Sequence, residues 1–463
     1  MSGVILATTG YGWAGLNHLT QSVDQLDIGG DNTPDVDGAD RNILLIGDDH
    51  RPTNVAQSVL DELHAGTAED VADLNTDTMM LLHVPSDGSR ATVISLPRDS
   101  WVSVPGYGHR KLNSAFSLGS KEGGDASGMK LLIRTIQNIT GLKIDHFVRV
   151  SLIGFYSIAK ELGPIKVCLN EAVSDEYSGA DFPAGEQELD AAQALAFVRQ
   201  RHGLPDGDLD RQVRQQYFMS AALQKVVSSG VLLNPARVQR LLDAVSGALQ
   251  TDPGLNLVTF AQQMQNVTAG NVRYATIPVT GTPTIEGDDG EEISIVSVDW
   301  LAMPAFIATV IGEPQAYKDA NTITHNKVPV DVVNASGIYG SGTTAAETLK
   351  VLGFRPRDPE DSDNTTNITT ITYPPGLEAQ AKTLAKSVPD AIVGMDKVRR
   401  VTLTLGIDGV EVPDEVSGES TTTTTTAPPT TTESSSPAQS ASSTTTTAPD
   451  SLDRTFTSAD CIN

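Results

Sequence analysis

The run AFVRQRHGLPDGDLDRQVRQQYF, residues 196–218, gathers Arg199, Arg201, Arg211 and Arg214 in a chain with 58 acidic and 32 basic side chains. Guanidinium groups bind planar anions bidentately, phosphates and carboxylates above all. The cluster therefore points to a phosphate-bearing ligand, recognised at one local basic site against an acidic global field. Arg199 and Arg201 stand two apart, so an extended segment would turn both to one face. Arg211, Arg214 and Gln215 stand at i, i+3 and i+4, one face at the start of a long helix whose free amides also favour phosphate. Basic groups in a first helical turn oppose the dipole and imply a negative partner. Salt bridges to Asp206, Asp208 and Asp210 are the plain alternative, strongest for Arg214.

Carboxylates supply the second half of the chemistry. Asp48 and Asp49 lie at the exit of the strand NILLIGDD, Asp77 at the entry of TDTMMLLHV, and Arg98 just past the strand in ATVISLPRDS. The last two strands flank the turn PSDGSR and read as a hairpin, which brings Asp77 and Arg98 to one end of a sheet. If the first strand pairs antiparallel with the second, Asp49 arrives there too. Paired aspartates at a strand rim suit Mg²⁺ (or Mn²⁺), which takes oxygen ligands and shares its coordination with substrate phosphates. Any one of these aspartates alone reads as a solvated turn residue; convergence on Arg98 argues otherwise. In YGHRKLNSAFSLG, Lys111 and Asn113 alternate about Leu112 in an extended-looking piece and offer further phosphate contacts.

The elements that must position these groups alternate between strand and helix. ASGMKLLIRTIQNITG has helical periodicity closed by Gly141. DHFVRVSL and GPIKVCLN read as strands and IGFYSIAKELG as a helix between them. ELDAAQALAFV is a helix with Asp190 as N-cap, and DLDRQVRQQYFMSAALQKVVSSG is a long amphipathic helix. The fold class this predicts is α/β, a layered αβα domain with a central mixed sheet, followed by a small αβ C-terminal domain. The second domain carries NASGIYGSGTT between a strand and a helix. It lacks the lysine of a phosphate-binding P-loop and reads as a tight turn. From Gly418 to Asp450 the chain is a Thr/Ser/Pro stalk that cannot form a core.

The pI near 4.5 and the absence of a basic domain argue against nucleic acid as a partner. Cys168 and Cys461 are the only cysteines, which excludes a disulfide-dense scaffold and a zinc ribbon. In an exported protein the pair forms one bridge that pins the tail to the body; in the cytosol they are two unrelated thiols. The bridge is preferred, because nothing else explains a cysteine in so polar a terminus. The apolar stretch VILATTGYGWAGLNHL is too short to span a bilayer and lacks a basic start.

LLIGDD, TDTMMLLHV, ISLPRDSWV, RKLNSAF, FVRQRHG and DLDRQVRQQ in this order resemble the LytR-CpsA-Psr family of cell-envelope phosphotransferases, and VPVDVVNASGIYGSGTTAAETLKVLGF resembles the LytR C-terminal domain appended in actinobacteria. The resemblance implies a single-pass membrane protein whose catalytic domain is extracytoplasmic. It would move a glycopolymer phosphate, from arabinogalactan or another secondary wall polymer, off a polyprenyl-pyrophosphate carrier onto a peptidoglycan acceptor. Asp49, preferred to Asp48 by a Gly-x-Asp pattern, and Asp77 would be the metal-associated carboxylates. Arg98, Lys111, Asn113, Arg199, Arg201, Arg211 and Gln215 would bind the pyrophosphate, with Arg98, Asp99, Arg201 and Arg211 closest to the chemistry. Asp99 or a rim aspartate would accept the proton. A polyprenyl-pyrophosphate hydrolase and a non-catalytic envelope-binding regulator are the competing readings. The expected organisation is the outer end of a membrane anchor over 1–23, a linker over 24–40, the catalytic domain over 41–313 and a linker over 314–326. The C-terminal domain follows over 327–413, the low-complexity stretch over 414–450 and a docking peptide over 451–463. HRPTNVAQSVLDELHAGTAEDVADLN is a long insert that either shapes the acceptor side or is a tolerated surface loop.

Overall fold

The computed structural model describes residues 23–29, 40–48, 57–66, 76–85, 88, 90–228, 235–256, 259–260, 263–264, 267–287, 290–310, 315–362, 365–395, 398–413, 454–457 and 460–463. Expectations that fall on 1–22 and 414–450, the anchor and the Thr/Ser/Pro stretch, and the one on Asp49, lie outside these residues. Among the described residues no helix is long and apolar enough to cross a membrane.

The near-continuous apolar run of β2 (Arg41–Asp48) is explained by its neighbours on both sides. With β1 (Asp24–Gln25), β3 (Thr76–Val84), β4 (Ala91–Ser95), β7 (His146–Ser151), β12 (Leu249–Thr251) and β13 (Val272–Thr276), it forms a seven-stranded sheet in the order β1-β12-β7-β2-β3-β4-β13. The sheet is mixed: β2 runs parallel to β7 and antiparallel to β3, which runs antiparallel to β4. Period-2 alternation sends Leu44, Ile46 and Leu81 to one face, where Phe116, Leu132 and Ile136 of the helix Ser114–Thr140 cover them. Ile43, Met80 and Leu82 go to the other face, beneath Phe197 and Phe218 of the helices Ala191–Arg199 and Asp208–Ser228. A sheet covered on both faces has no need of polar alternation. The expected αβα layering with a mixed sheet is what the chain adopts.

Several boundaries move. The expected linker over 24–40 begins as β1, two exposed polar residues that pair with β12 through backbone and through Gln250 Nε2 donating to Asp24 Oδ2 at 2.6 Å, and so leave no apolar signature. The expected linker over 314–326 contains the helix Gln315–Asp319, whose Tyr317 stacks on Tyr373 in the second domain's core. That second domain orders its strands as Arg355–Pro356, Pro329–Asn334, Val401–Leu405, Thr370–Tyr373 and Ile392–Met395, with Glu360–Asp361 also on Pro329–Asn334. Its Ile368 and Ile392 join the helix-side core of the first domain. They meet it at Gly141, where a Cβ would lie 3.1 Å from Ile392. NASGIYGSGTT is a strand-to-helix turn, with Asn334 Oδ1 accepting from the Ser336 hydroxyl and N–H.

The C-terminal peptide docks. A disulfide joins Cys461 to Cys168, Ile462 bridges Leu169, and Arg454 pairs with Tyr274 on the edge strand β13. Phe456 packs edge-on against Tyr217.

Candidate functional site

Strand pairing alone brings the rim together. Asp48 at the end of β2 sits across from Thr76 at the start of β3, so Asp77 lies at that same end. Past β4 the chain turns at Pro97–Ser100, fixed by Ser100 N–H on Pro97 O at 3.0 Å and Asn113 N–H on Arg98 O at 2.9 Å. The hairpin of β5 (Trp101–Val104) and β6 (Gly108–Lys111) then returns Lys111 beside Asp99. The helix Asp208–Ser228 presents its first turn to this end.

The resulting cluster is alternately charged. Arg98 Nη1 donates to Asp77 Oδ1 at 2.5 Å, while its Nε lies 3.3 Å from Asp208 Oδ1 and 3.6 Å from Asp99 Oδ2. Arg211 Nη2 lies 2.8 Å from Asp208 Oδ1 and donates to the Asp77 carbonyl at 3.1 Å. Lys111 Nζ lies 3.0 Å from Asp99 Oδ1. Gln215 donates to the Thr78 hydroxyl at 2.9 Å and the Val198 carbonyl at 3.2 Å. The Nε atoms of Arg98 and Arg211 are buried yet make no hydrogen bond. Buried donors in that condition are costly unless a ligand completes them.

Electrostatics divides the two arginines. Burial works against the charge of both. At Arg98 the carboxylates of Asp208, Asp77 and Asp99 outweigh burial and raise the pKa above the usual guanidinium value. At Arg211 burial wins and the pKa is lowered; Asp208 offsets it in part, and the like charges of Arg98 and Arg201 add to the lowering. Arg211 is thus the group with most to gain from an added anion.

The other sequence-predicted residues go to various places. Arg201 is exposed, next to the rim and within electrostatic reach of Arg211. Arg199 ends its helix and donates to the carbonyls of Leu63 and His64 at 3.0 and 3.3 Å, so it does not share a face with Arg201 in an extended segment. Asn113 takes helical angles at the head of the helix Ser114–Thr140, not the expected extended ones, because buried Leu112 and Ala115 demand the turn there. Arg214 leaves the face of Arg211 and Gln215. Fully buried, it stacks on Phe197 and donates to Gln200 Oε1 and the Asn463 carbonyl. Of the three expected aspartates only Asp210 acts on it, through space, and burial outweighs that charge and lowers its pKa to about 10.

One group was missed, Arg149, and one of the three aspartates offered as salt-bridge partners, Asp208, takes a larger part than expected. Asp208 is the carboxylate shared by Arg98 and Arg211; its signal was the i, i+3 spacing to Arg211. Arg149, an arginine inside the strand HFVRV, is buried over the Phe116 ring. It pairs with Asp48, and donates to Asp125 at 2.6 Å and Gln250 at 3.2 Å. Asp48 is therefore held in a buried ion pair.

A metal has limited purchase here. Among the described residues no group of three acidic, histidine or cysteine side chains could hold one. Asp77 is the most exposed rim carboxylate and uses one oxygen on Arg98. That fits magnesium, which is often held by one or two carboxylates and completed by phosphate oxygens.

Comparison with known proteins shows the family. The model of the LytR_cpsA_psr family matches residues 18–299, and that of the LytR cell envelope-related transcriptional attenuator matches 327–408. The cell wall biosynthesis protein LcpA of Corynebacterium glutamicum is 38% identical over 349 residues, 69% of this chain and 66% of that protein. A polyisoprenyl-teichoic acid–peptidoglycan teichoic acid transferase TagU of Oceanobacillus iheyensis is 29% identical over 49% of this chain and 65% of its own. The chain thus spans just under two thirds of the length of these relatives. A LytR-Csp2A-Psr enzyme structure from Actinomyces oris is 22% identical, with a TM-score of 0.45 over 63% of this chain and 97% of that one.

Proposed function

Since the chain belongs to the LytR_cpsA_psr family, we propose that its rim moves a glycopolymer phosphate from a polyprenyl-pyrophosphate carrier to peptidoglycan. The observation that carries this reading is the pair Arg98 and Arg211, held around Asp208, with the Nε of Arg211 buried and without a hydrogen bond. A phosphate oxygen would complete that donor and add negative charge where burial weighs most on a guanidinium.

In the reaction the acceptor hydroxyl oxygen bonds to the transferred phosphorus, the bridging P–O bond breaks, and polyprenyl phosphate leaves. Phosphoryl transfer asks a protein chiefly for alignment and charge neutralisation. Arg211 and Arg98 would grip the transferred phosphoryl, and Arg201 with Lys111 the flanking one. Asp208 keeps both guanidiniums oriented before substrate arrives, so little reorganisation accompanies the transition state. Asp99, shared between Lys111 and Arg98 at the rim, would take the hydroxyl proton. Magnesium, held by Asp77 with Asp49 and phosphate oxygens, would add further neutralisation. The relatives' wall-building names support an extracytoplasmic setting, with residues 1–23 as the anchor.

The test is incubation with a synthetic lipid-pyrophosphate glycan, peptidoglycan and Mg²⁺, followed by mass analysis of the acceptor. A phosphodiester-linked glycan on peptidoglycan is expected. Release of free glycan phosphate at the same rate with and without acceptor would identify a hydrolase and sink the proposal.

A further inference from the structure

Beside the rim, β9 (Val173–Asp175) and β10 (Ala180–Phe182) form a hairpin whose tip is built around one buried carboxylate. The Asp175 side chain is 1% exposed. It accepts from the N–H of Tyr177 at 3.0 Å, the Ser178 hydroxyl at 3.0 Å and the Arg201 N–H at 3.4 Å. His202 Nδ1 lies 3.4 Å away. Burial opposes the charge, but these donors hold the Asp175 pKa below the usual carboxylate value. Asp175 thereby ties the hairpin to the segment that carries Arg201. From the other side, Gly179 at φ +75° meets the insert: a Cβ there would lie 2.6 Å from the His64 ring.

What this mount presents is a ring. Tyr177 is 76% exposed, and His202 backs it with ring centroids 4.4 Å apart. A lone exposed aromatic is ordinary and signifies nothing. An exposed aromatic on a turn anchored by a buried carboxylate, inclined 34° to a second ring and tied by that carboxylate to the segment that carries Arg201, is a prepared surface. Its face is electron-rich and apolar, a match for the weakly positive C–H face of a sugar ring.

We propose that Tyr177, backed by His202, is a sugar-stacking subsite for the glycan ring adjoining the phosphate held at Arg201. The proposal rests on the transferase reading and adds to it the residue that recognises the sugar. Donor glycan and peptidoglycan share this chemistry, so both enter the test. Calorimetric titrations of the full chain would use two phosphate-free probes, a linear galactan oligosaccharide and the N-acetylglucosamine–N-acetylmuramic acid disaccharide. At least one should bind, about threefold to tenfold more weakly in Tyr177→Ala at unchanged melting temperature, and with near-normal affinity in Tyr177→Trp. The responding probe identifies the source. Equal affinity of wild type and Tyr177→Ala for both probes, or no binding of either, would overturn the subsite. Because neither probe carries phosphate, these titrations report on the subsite whether or not transfer itself is observed.

Discussion

Arg98 and Arg211 hold opposite electrostatic positions although they share Asp208. Arg98 is over-supplied with carboxylates, and Arg211 is buried beyond what Asp208 and Asp77 offset. Arg211→Ala should therefore lower transfer by about 10²- to 10³-fold, the scale of losing one preorganised donor to a developing charge. Arg211→Lys should not restore it, since an ammonium cannot reproduce the fork geometry. Single-turnover rates at unchanged melting temperature check both; near-normal turnover in the alanine variant would exclude Arg211 from the site. The arginine types were legible in the sequence, and so was the need for a counter-charge in that first helical turn. Which aspartate met the need was not, because Asp206, Asp208 and Asp210 are chemically alike and only helix phase selects Asp208.

The insert between Asp49 and Asp77 is an element with its own small core. Its helix, Gln57–Glu62, buries Leu60, and Leu63 and Ala65 follow it, all against Leu152 and Leu195. The Leu63 and His64 carbonyls receive Arg199. Leu60→Ala should destabilise this unit by about 2–5 kcal/mol. Amide exchange should then rise in residues 57–66 and 173–182 and stay unchanged in the C-terminal domain; a uniform rise would contradict local packing. In the sheet, His83 on β3 bonds to Asn42 Oδ1 at 2.9 Å, and burial lowers its pKa below 6.5. A lowered folded-state pKa gives stability that is full above pH 6.5 and lost as pH falls through the folded value. His83→Gln should flatten the fall in melting temperature between pH 7 and pH 5, and an identical slope would refute this assignment. Alternation made β2 and β3 readable; the placement of Arg199 was not, because a helix-terminal arginine reaches whatever carbonyls a distant insert provides.

At the scale of the molecule, two attachments hold the first domain. The Cys168–Cys461 disulfide closes a separation of 293 residues, and the tail it anchors accepts from Arg214, which in turn holds Gln200 between Arg199 and Arg201. Cys461→Ser should cost about 2–5 kcal/mol, seen as a lower melting temperature with the same far-ultraviolet signature. An unchanged melting temperature would show that the tail adds nothing. The C-terminal domain grips the β5–β6 hairpin through Ser103 N–H on Asn367 Oδ1 at 3.0 Å and a Ser103–Thr365 hydroxyl pair at 2.9 Å. Asn367 is fully buried, so Asn367→Ala strands the Ser103 amide at a cost of about 1–3 kcal/mol. Calorimetry should then resolve two unfolding transitions; one unaltered transition would rule out coupling at this contact.

The order of motifs, the alternation of strand and helix and the guanidinium run set the family and the αβα class, because residue type and spacing determine local structure and local charge. The rim itself needed β2, β3 and β4 paired in one register and a helix rotated so that Arg211 faces inward and Arg214 away. Those are relations between segments far apart in the chain, set by which faces are buried, and no local pattern encodes them. The same holds for Tyr177, an unremarked tyrosine in a polar loop until Asp175, His202 and His64 met around it.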